Sequence, residues 1–166
     1  DEEINRFFMR LVWSLDGFSL ERHDVADTLR VLGKGFGGMH FDLHFGDHRP
    51  RVAVLCSKTP HCLYDLLLRQ RMGELSGEIA LVISNHPDLQ DVPEHFGVPF
   101  AHVPVEKDNK QVAEQKQQAL LEEHGIDLVV LARYMQIVSP GLCEMWKGRM
   151  INIHHSFLPA FVGAKP

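Results

Sequence analysis

Arg51-Val52-Ala53-Val54-Leu55-Cys56 and Glu78-Ile79-Ala80-Leu81-Val82-Ile83-Ser84 decide the fold of this chain. Each is a short, almost unbroken apolar run. Leu63 to Arg71 between them reads as a helix, with Pro60 suited to its beginning. Such runs suit strands buried on both faces of a parallel sheet, whose crossover helices cover both sides. The alternation continues downstream. Pro87 to Phe96 is predicted helical, limited by Pro93, and Pro99 to Val103 is a third strand. Asn109 to His124 is a long polar-faced helix stopped by Gly125, followed by a fourth strand over Ile126 to Leu131. Gly141 to Trp146 is a short helix and Met150 to Ile153 a fifth strand, with Pro159 closing the turn beyond it. Strand and helix in this alternation specify an α/β fold. Ligands of such sheets bind beyond the carboxyl ends of the strands. Asn152 and His154 arrive at that edge two residues apart, so on a strand they share a side. One is a neutral amide donor and the other moves protons near neutral pH. The pair suits stabilising an oxyanion and protonating a leaving nitrogen.

Gly46-Asp47-His48-Arg49-Pro50 reads as a linker to a different N-terminal segment. There, Arg6 to Trp13 is rich in strand formers, and Gly17 and Ser19 punctuate it. Leu20 to Gly33 carries Val25, Ala26, Leu29 and Leu32 at helical spacing before glycines at 35, 37 and 38 break it. Met39 to Phe45 alternates apolar and polar residues like a half-exposed strand. Strand, helix and strand in under fifty residues are too little to bury a stable core alone.

Composition narrows the function classes. A net charge of -5 and a pI near 6.1 give no electrostatic footprint for nucleic acid. No apolar stretch reaches the roughly 18 residues a membrane span needs, and the N-terminus lacks the charged and apolar regions of a signal peptide. A cytoplasmic protein is therefore expected. Cys56, Cys62 and Cys143 fit no disulfide framework or Cys-x-x-Cys pattern; Cys56 and Cys143 are expected as small buried residues with reduced thiols. The 11 histidines are scattered, without His-Glu-x-x-His, and no metal is expected.

Residues Asn152-Ile153-His154-His155-Ser156-Phe157-Leu158-Pro159-Ala160-Phe161-Val162-Gly163-Ala164-Lys165-Pro166 resemble the active-site segment of the folate-dependent formyltransferase superfamily. The paired histidines and the Ala-Phe-Val-Gly-Ala-Lys-Pro ending resemble its hydrolytic branch, the formyltetrahydrofolate deformylases. Ser57-Lys58, His61-Cys62-Leu63, Asp65-Leu66-Leu67 and Ile83-Ser84-Asn85-His86 are similar to further deformylase segments. The resemblance implies a Rossmann-like parallel sheet of the formyltransferase type, with residues 51–166 as the N-terminal part of the catalytic domain. Arg6 to Arg10 resembles the second half of an ACT module, so residues 1–48 are expected to be a partial ferredoxin-like βαββαβ segment. Such modules commonly pair and bind small amino acids, which implies a homo-oligomer and an amino-acid effector; a mere packing element is equally compatible.

The implied reaction is addition of water to the formyl group of 10-formyltetrahydrofolate, releasing formate and tetrahydrofolate for one-carbon and purine metabolism, with no further cofactor. The resemblance carries to Asn152 the role of donor to the formyl oxygen, and to His154 that of proton relay. Leu131 to Ser139 resembles the segment lining the pterin pocket, where Tyr134, Met135, Gln136 and Ile137 would offer apolar walls and backbone groups. Many relatives carry arginine at the position of Gln136, so no charged contact is assigned there. The family's catalytic aspartate is implied to lie beyond Pro166. The chain is thus expected to be the middle of a longer protein, with negligible turnover if it ended at Pro166. Formyltransferases acting on a ribonucleotide place a glycine-rich turn after the first strand to hold phosphate. Ser57 to Cys62 contains no glycine, which favours water as acceptor, although Lys58 could meet a phosphate. His102 is expected at the rim, and Asn85-His86 as a turn cap before the helix that Pro87 begins. An amine-directed formyltransferase and a non-catalytic folate-binding or amino-acid-sensing protein are the alternatives.

Overall fold

Both deciding runs lie side by side at the centre of a five-stranded parallel sheet. The computed structural model describes residues 8–37, 39–106 and 108–152, in two units, residues 1–46 and 47–166. In the second unit the strands are β1 (Arg51–Cys56), β2 (Glu78–Ser84), β3 (Phe100–His102), β4 (Leu128–Ala132) and β5 (Met150–Asn152), in the order β3-β2-β1-β4-β5. After α1 (Val25–Lys34) of the first unit, the helices of the second are α2 (His61–Arg71), α3 (Asp91–His95), α4 (Lys110–Glu123) and α5 (Pro140–Met145).

β1 is buried on both faces, and its side chains divide between two cores. Ala53 and Leu55 join Leu81, Ile83, Val129 and Leu131 beneath Ala113 and Leu121 of α4 and Leu142 of α5. Val54 and Cys56 face the other way, onto Leu63 and Leu67 of α2 and Leu89 and Val92. Val52 pairs with Ile79 while Ala53 pairs with Leu81, so Ala80 is an extra residue on β2. This bulge reverses the alternation at that point: Ile79 lies with Val82 on the α2 face, although it is two residues from Leu81. Helices on both faces make the sheet doubly wound. The chain runs outward from β1 through β2 to β3, then returns through α4 to β4 on the other side of β1. The strand order reverses between β1 and β4, and the loops leaving those two strands diverge there.

Local chemistry explains the element ends. Gly125 turns with φ +58, and the Ile126 N–H reaches back to the Leu121 carbonyl at 2.9 Å. Ile126 therefore still closes α4, and β4 begins at Leu128 rather than at the predicted Ile126. Asp127 accepts the Arg51 N–H at 2.8 Å, while Arg51 Nε donates to the His124 carbonyl at 2.8 Å, tying the start of β1 to that turn. Pro93 sits in the first turn of α3, where its missing N–H is tolerated, and a 3-10 turn over Pro87–Leu89 precedes it.

The first unit departs from its expected pattern. A 3-10 turn (Arg22–Asp24) leads into α1, and Val25 and Gly33 are its buried residues among those described. Ala26 and Leu29 are half-buried, but Leu32 is exposed. The predicted strands over Arg6–Trp13 and Met39–Phe45 carry no ladder in their described residues. Local contacts remain: Met39 N–H donates to the Gly33 carbonyl at 3.3 Å, and the Arg22 guanidinium lies 4.1 Å from the Phe45 ring centroid.

Candidate active site

Three loops leave the carboxyl ends of β1, β2 and β4, and a buried hydroxyl joins them. Ser57, directly after β1, donates from Oγ to Asn85 Oδ1 at 2.6 Å. The same Oγ accepts the Met135 N–H at 3.0 Å. Ser57 and Asn85 are only 3% and 6% exposed, so neither can satisfy these groups with solvent. Beside them Ser84 Oγ accepts the His86 N–H at 3.1 Å. Burial pushes the neighbouring Cys56 thiol up to about 11, with the Ser84 hydroxyl drawing it partly back.

The β4 loop is shaped from its first residue. Arg133 has φ +57, the left-handed region, unlike every other described non-glycine residue. The turn it makes sends Tyr134 back against the α4 side of the core. There Tyr134 Oη accepts from Gln117 Nε2 at 2.8 Å. Burial raises the tyrosine pKa and the Gln117 bond lowers it, so the phenol stays neutral around pH 7. Met135 is held through its N–H while its side chain is 52% exposed; Gln136 is half-buried and Ile137 is 82% exposed. The loop thus presents apolar side chains and backbone groups outward from two internal anchors.

Asn152 ends β5 opposite Leu131 of β4 and is exposed. Partners in a parallel ladder share a face, so Asn152 lies on the α4–α5 side of the sheet, one strand from the Tyr134 loop. His154 lies outside the described residues.

Other expectations resolve differently. Asn85 and His86 do not cap the Pro87 turn through their side chains, because Asn85 is drawn inward by Ser57. Cys143 is exposed rather than buried: Leu142 and Trp146 take the inward face of that turn. Cys56 is buried, as predicted. Lys58 and His102 are exposed at the carboxyl edge of the sheet. Among the described residues no three His, Cys, Asp or Glu side chains come together as a metal site. No helix among them is long and apolar enough to cross a membrane.

Three residues here were not expected in these roles. Ser57 and Asn85 lie in family-like segments, and Asn85 reads as a turn cap, but neither reading reveals a contact 28 residues apart. Gln117 had a signal: it shares the α4 face of Ala113 and Leu121 at four-residue spacing, and is 1% exposed.

A doubly wound parallel sheet, with structured loops at the strand-order reversal, defines an α/β protein of the kind whose ligands bind at the carboxyl edge of the strands. The chain belongs to the formyl transferase family, whose model matches residues 50–166. It is 56% identical over 167 residues to a formyltetrahydrofolate deformylase of Mycobacterium bovis, covering 96% of this chain and 51% of the relative. It is 45% identical over 160 residues to one of Synechocystis, covering 96% and 56%. The crystal structure of a formyltetrahydrofolate deformylase from Pseudomonas putida superposes with a TM-score of 0.78 at 42% identity, over 90% of this chain and 52% of that one. A glycinamide ribonucleotide transformylase from Geobacillus kaustophilus matches at TM-score 0.65 and 29% identity, over 71% of this chain and 64% of that one. The chain spans about half the length of the curated deformylases it matches.

Proposed function

We propose that this chain is part of a formyltetrahydrofolate deformylase, hydrolysing 10-formyltetrahydrofolate to formate and tetrahydrofolate. The observation that carries the reading is coverage. Proteins named as deformylases match nearly the whole chain, first unit included, whereas the transformylase match covers a share close to residues 50–166 alone. The turn after β1 supports it too. It has no glycine, and its Ser57 hydroxyl is engaged inward, which leaves a poor cradle for an acceptor phosphate.

In this reading the pterin rests against Met135 and Ile137 and pairs with backbone groups of residues 134–137, with Tyr134 and Gln136 completing the wall. Asn152 donates to the formyl oxygen as water adds and the oxygen gains charge. His154 shares that oxygen and relays the proton to the departing N10, so the tetrahedral intermediate collapses to formate and the free amine. An aspartate outside this sequence would orient the water. A cytoplasmic location, a homo-oligomer assembled through strand edges and an amino-acid effector at the first unit belong to the same proposal.

The full-length protein should release formate steadily from 10-formyltetrahydrofolate in buffer free of amines. Asn152→Ala should lower kcat by about 10²–10³, the usual loss for one oxyanion donor. Release unchanged in His154→Ala would remove the relay assignment, and wild-type protein that binds folate without releasing formate would favour a non-catalytic folate binder. Turnover that appears only when an amine acceptor is supplied would establish the formyltransferase alternative, which the transformylase-like fold favours.

A further inference from the structure

We infer that Ser57 and Asn85 are positioning residues for the folate, setting the backbone of Met135 to Ile137 without touching the ligand. The inference rests on the folate reading of residues 134–137 given above. A loop N–H ordinarily meets water or its own loop. Here the Met135 N–H meets a side chain 78 residues earlier, on a different strand end. A serine hydroxyl has one proton, and Asn85 Oδ1 takes it. With that proton committed, the Ser57 lone pairs face Met135, so Asn85 sets the rotor and Ser57 sets the loop.

The backbone around this latch does not hold its shape by local preference. Arg133, two residues before Met135, adopts a conformation that side-chain-bearing residues avoid. Two anchors hold the residues that follow it: Gln117 of α4 holds the Tyr134 hydroxyl, and Ser57 after β1 holds the Met135 amide. The groups that follow, the Met135 carbonyl and the Gln136 amide, are thereby placed before any ligand arrives. Preplaced groups spare the ligand the entropy of ordering them, which raises affinity without changing the bond-breaking step. Ser57 already donates to Asn85 and accepts from Met135 and is nearly inaccessible, so its influence passes through Met135.

The test uses Ser57→Ala, Ser57→Thr and Asn85→Leu in the full-length protein. KM and kcat are read with 10-formyltetrahydrofolate, and Kd with 5-formyltetrahydrofolate by calorimetry. Ser57→Ala should raise KM and Kd about tenfold, the scale of one lost hydrogen bond, with kcat within about threefold. Ser57→Thr, which keeps the hydroxyl, should restore both. Asn85→Leu should act in the same direction, and the double variant should be little worse than Ser57→Ala, as expected of residues working as one unit. A lower melting temperature with unchanged KM and Kd would reduce the latch to a structural role and overturn the inference. Wild-type protein that releases no formate, while Ser57→Ala weakens 5-formyltetrahydrofolate binding, would sink the deformylase reading and leave the positioning role standing. If Ser57→Ala does not accumulate folded, Asn85→Leu carries the same comparison.

Discussion

Tyr134 and Gln117 concentrate more consequence than their neighbours, because each is the other's means of satisfying a buried polar group. Gln117 Oε1 has no partner among the described residues, so its amide depends on the Tyr134 oxygen. Tyr134→Phe should therefore cost about 1–3 kcal/mol, read as a lower urea midpoint with unchanged slope. Cys56 makes a second residue-level prediction. Its thiol is raised to about 11 in the fold from an ordinary 9.0. Between those values the unfolded chain binds fewer protons than the folded one, so stability falls as pH rises through that window. The loss approaches about 3 kcal/mol at the upper end. Denaturation curves at rising alkaline pH should show that fall, and Cys56→Ala should flatten it. Equal slopes for both proteins would refute the assignment. Lost packing lowers the variant's stability at every pH but does not change the slope.

The elements owe their ends to single groups. Ser139 Oγ accepts the Leu142 N–H at 3.2 Å and caps α5, with Pro140 at the first helical position. Glu114 Oε1 also accepts the Ser139 N–H at 2.8 Å, joining α4 to the same turn. Ser139→Ala should cost about 1 kcal/mol, seen as a lower melting temperature in circular dichroism, while Ser139→Asp should recover most of it. The strands were legible because a parallel sheet demands apolar side chains on both faces: β1 and β2 carry the predicted bounds. The bulge at Ala80 was not legible, since Glu78 to Ser84 is apolar at every interior position whichever way each side chain points. Helical spacing marks α4 closely, but the six-residue α5 is too short for spacing to reveal its inward face, and Cys143 lies exposed.

At the scale of the molecule the two units differ in what they bury. The second has a core on each face of its sheet, whereas Val25 and Gly33 are the buried described residues of the first. Amide exchange should accordingly be slowest in β1, β2 and β4 and fast across α1, by mass spectrometry of deuterated peptides. Protection of residues 25–34 equal to that of 51–56 would overturn this contrast. The alternation of strand and helix, the parallel sheet and the residue types delivered to its carboxyl edge are all written along the chain. Hydrophobic periodicity and turn residues are local signals, readable along the chain. The meeting of Ser57, Asn85 and Met135, the inward turn of Tyr134 onto Gln117, and the lack of a strand ladder among the described residues of the first unit emerge in the folded molecule. Those outcomes depend on hydrogen-bond partners far apart in sequence, and a buried polar group's choice of partner is made by the packed fold around it.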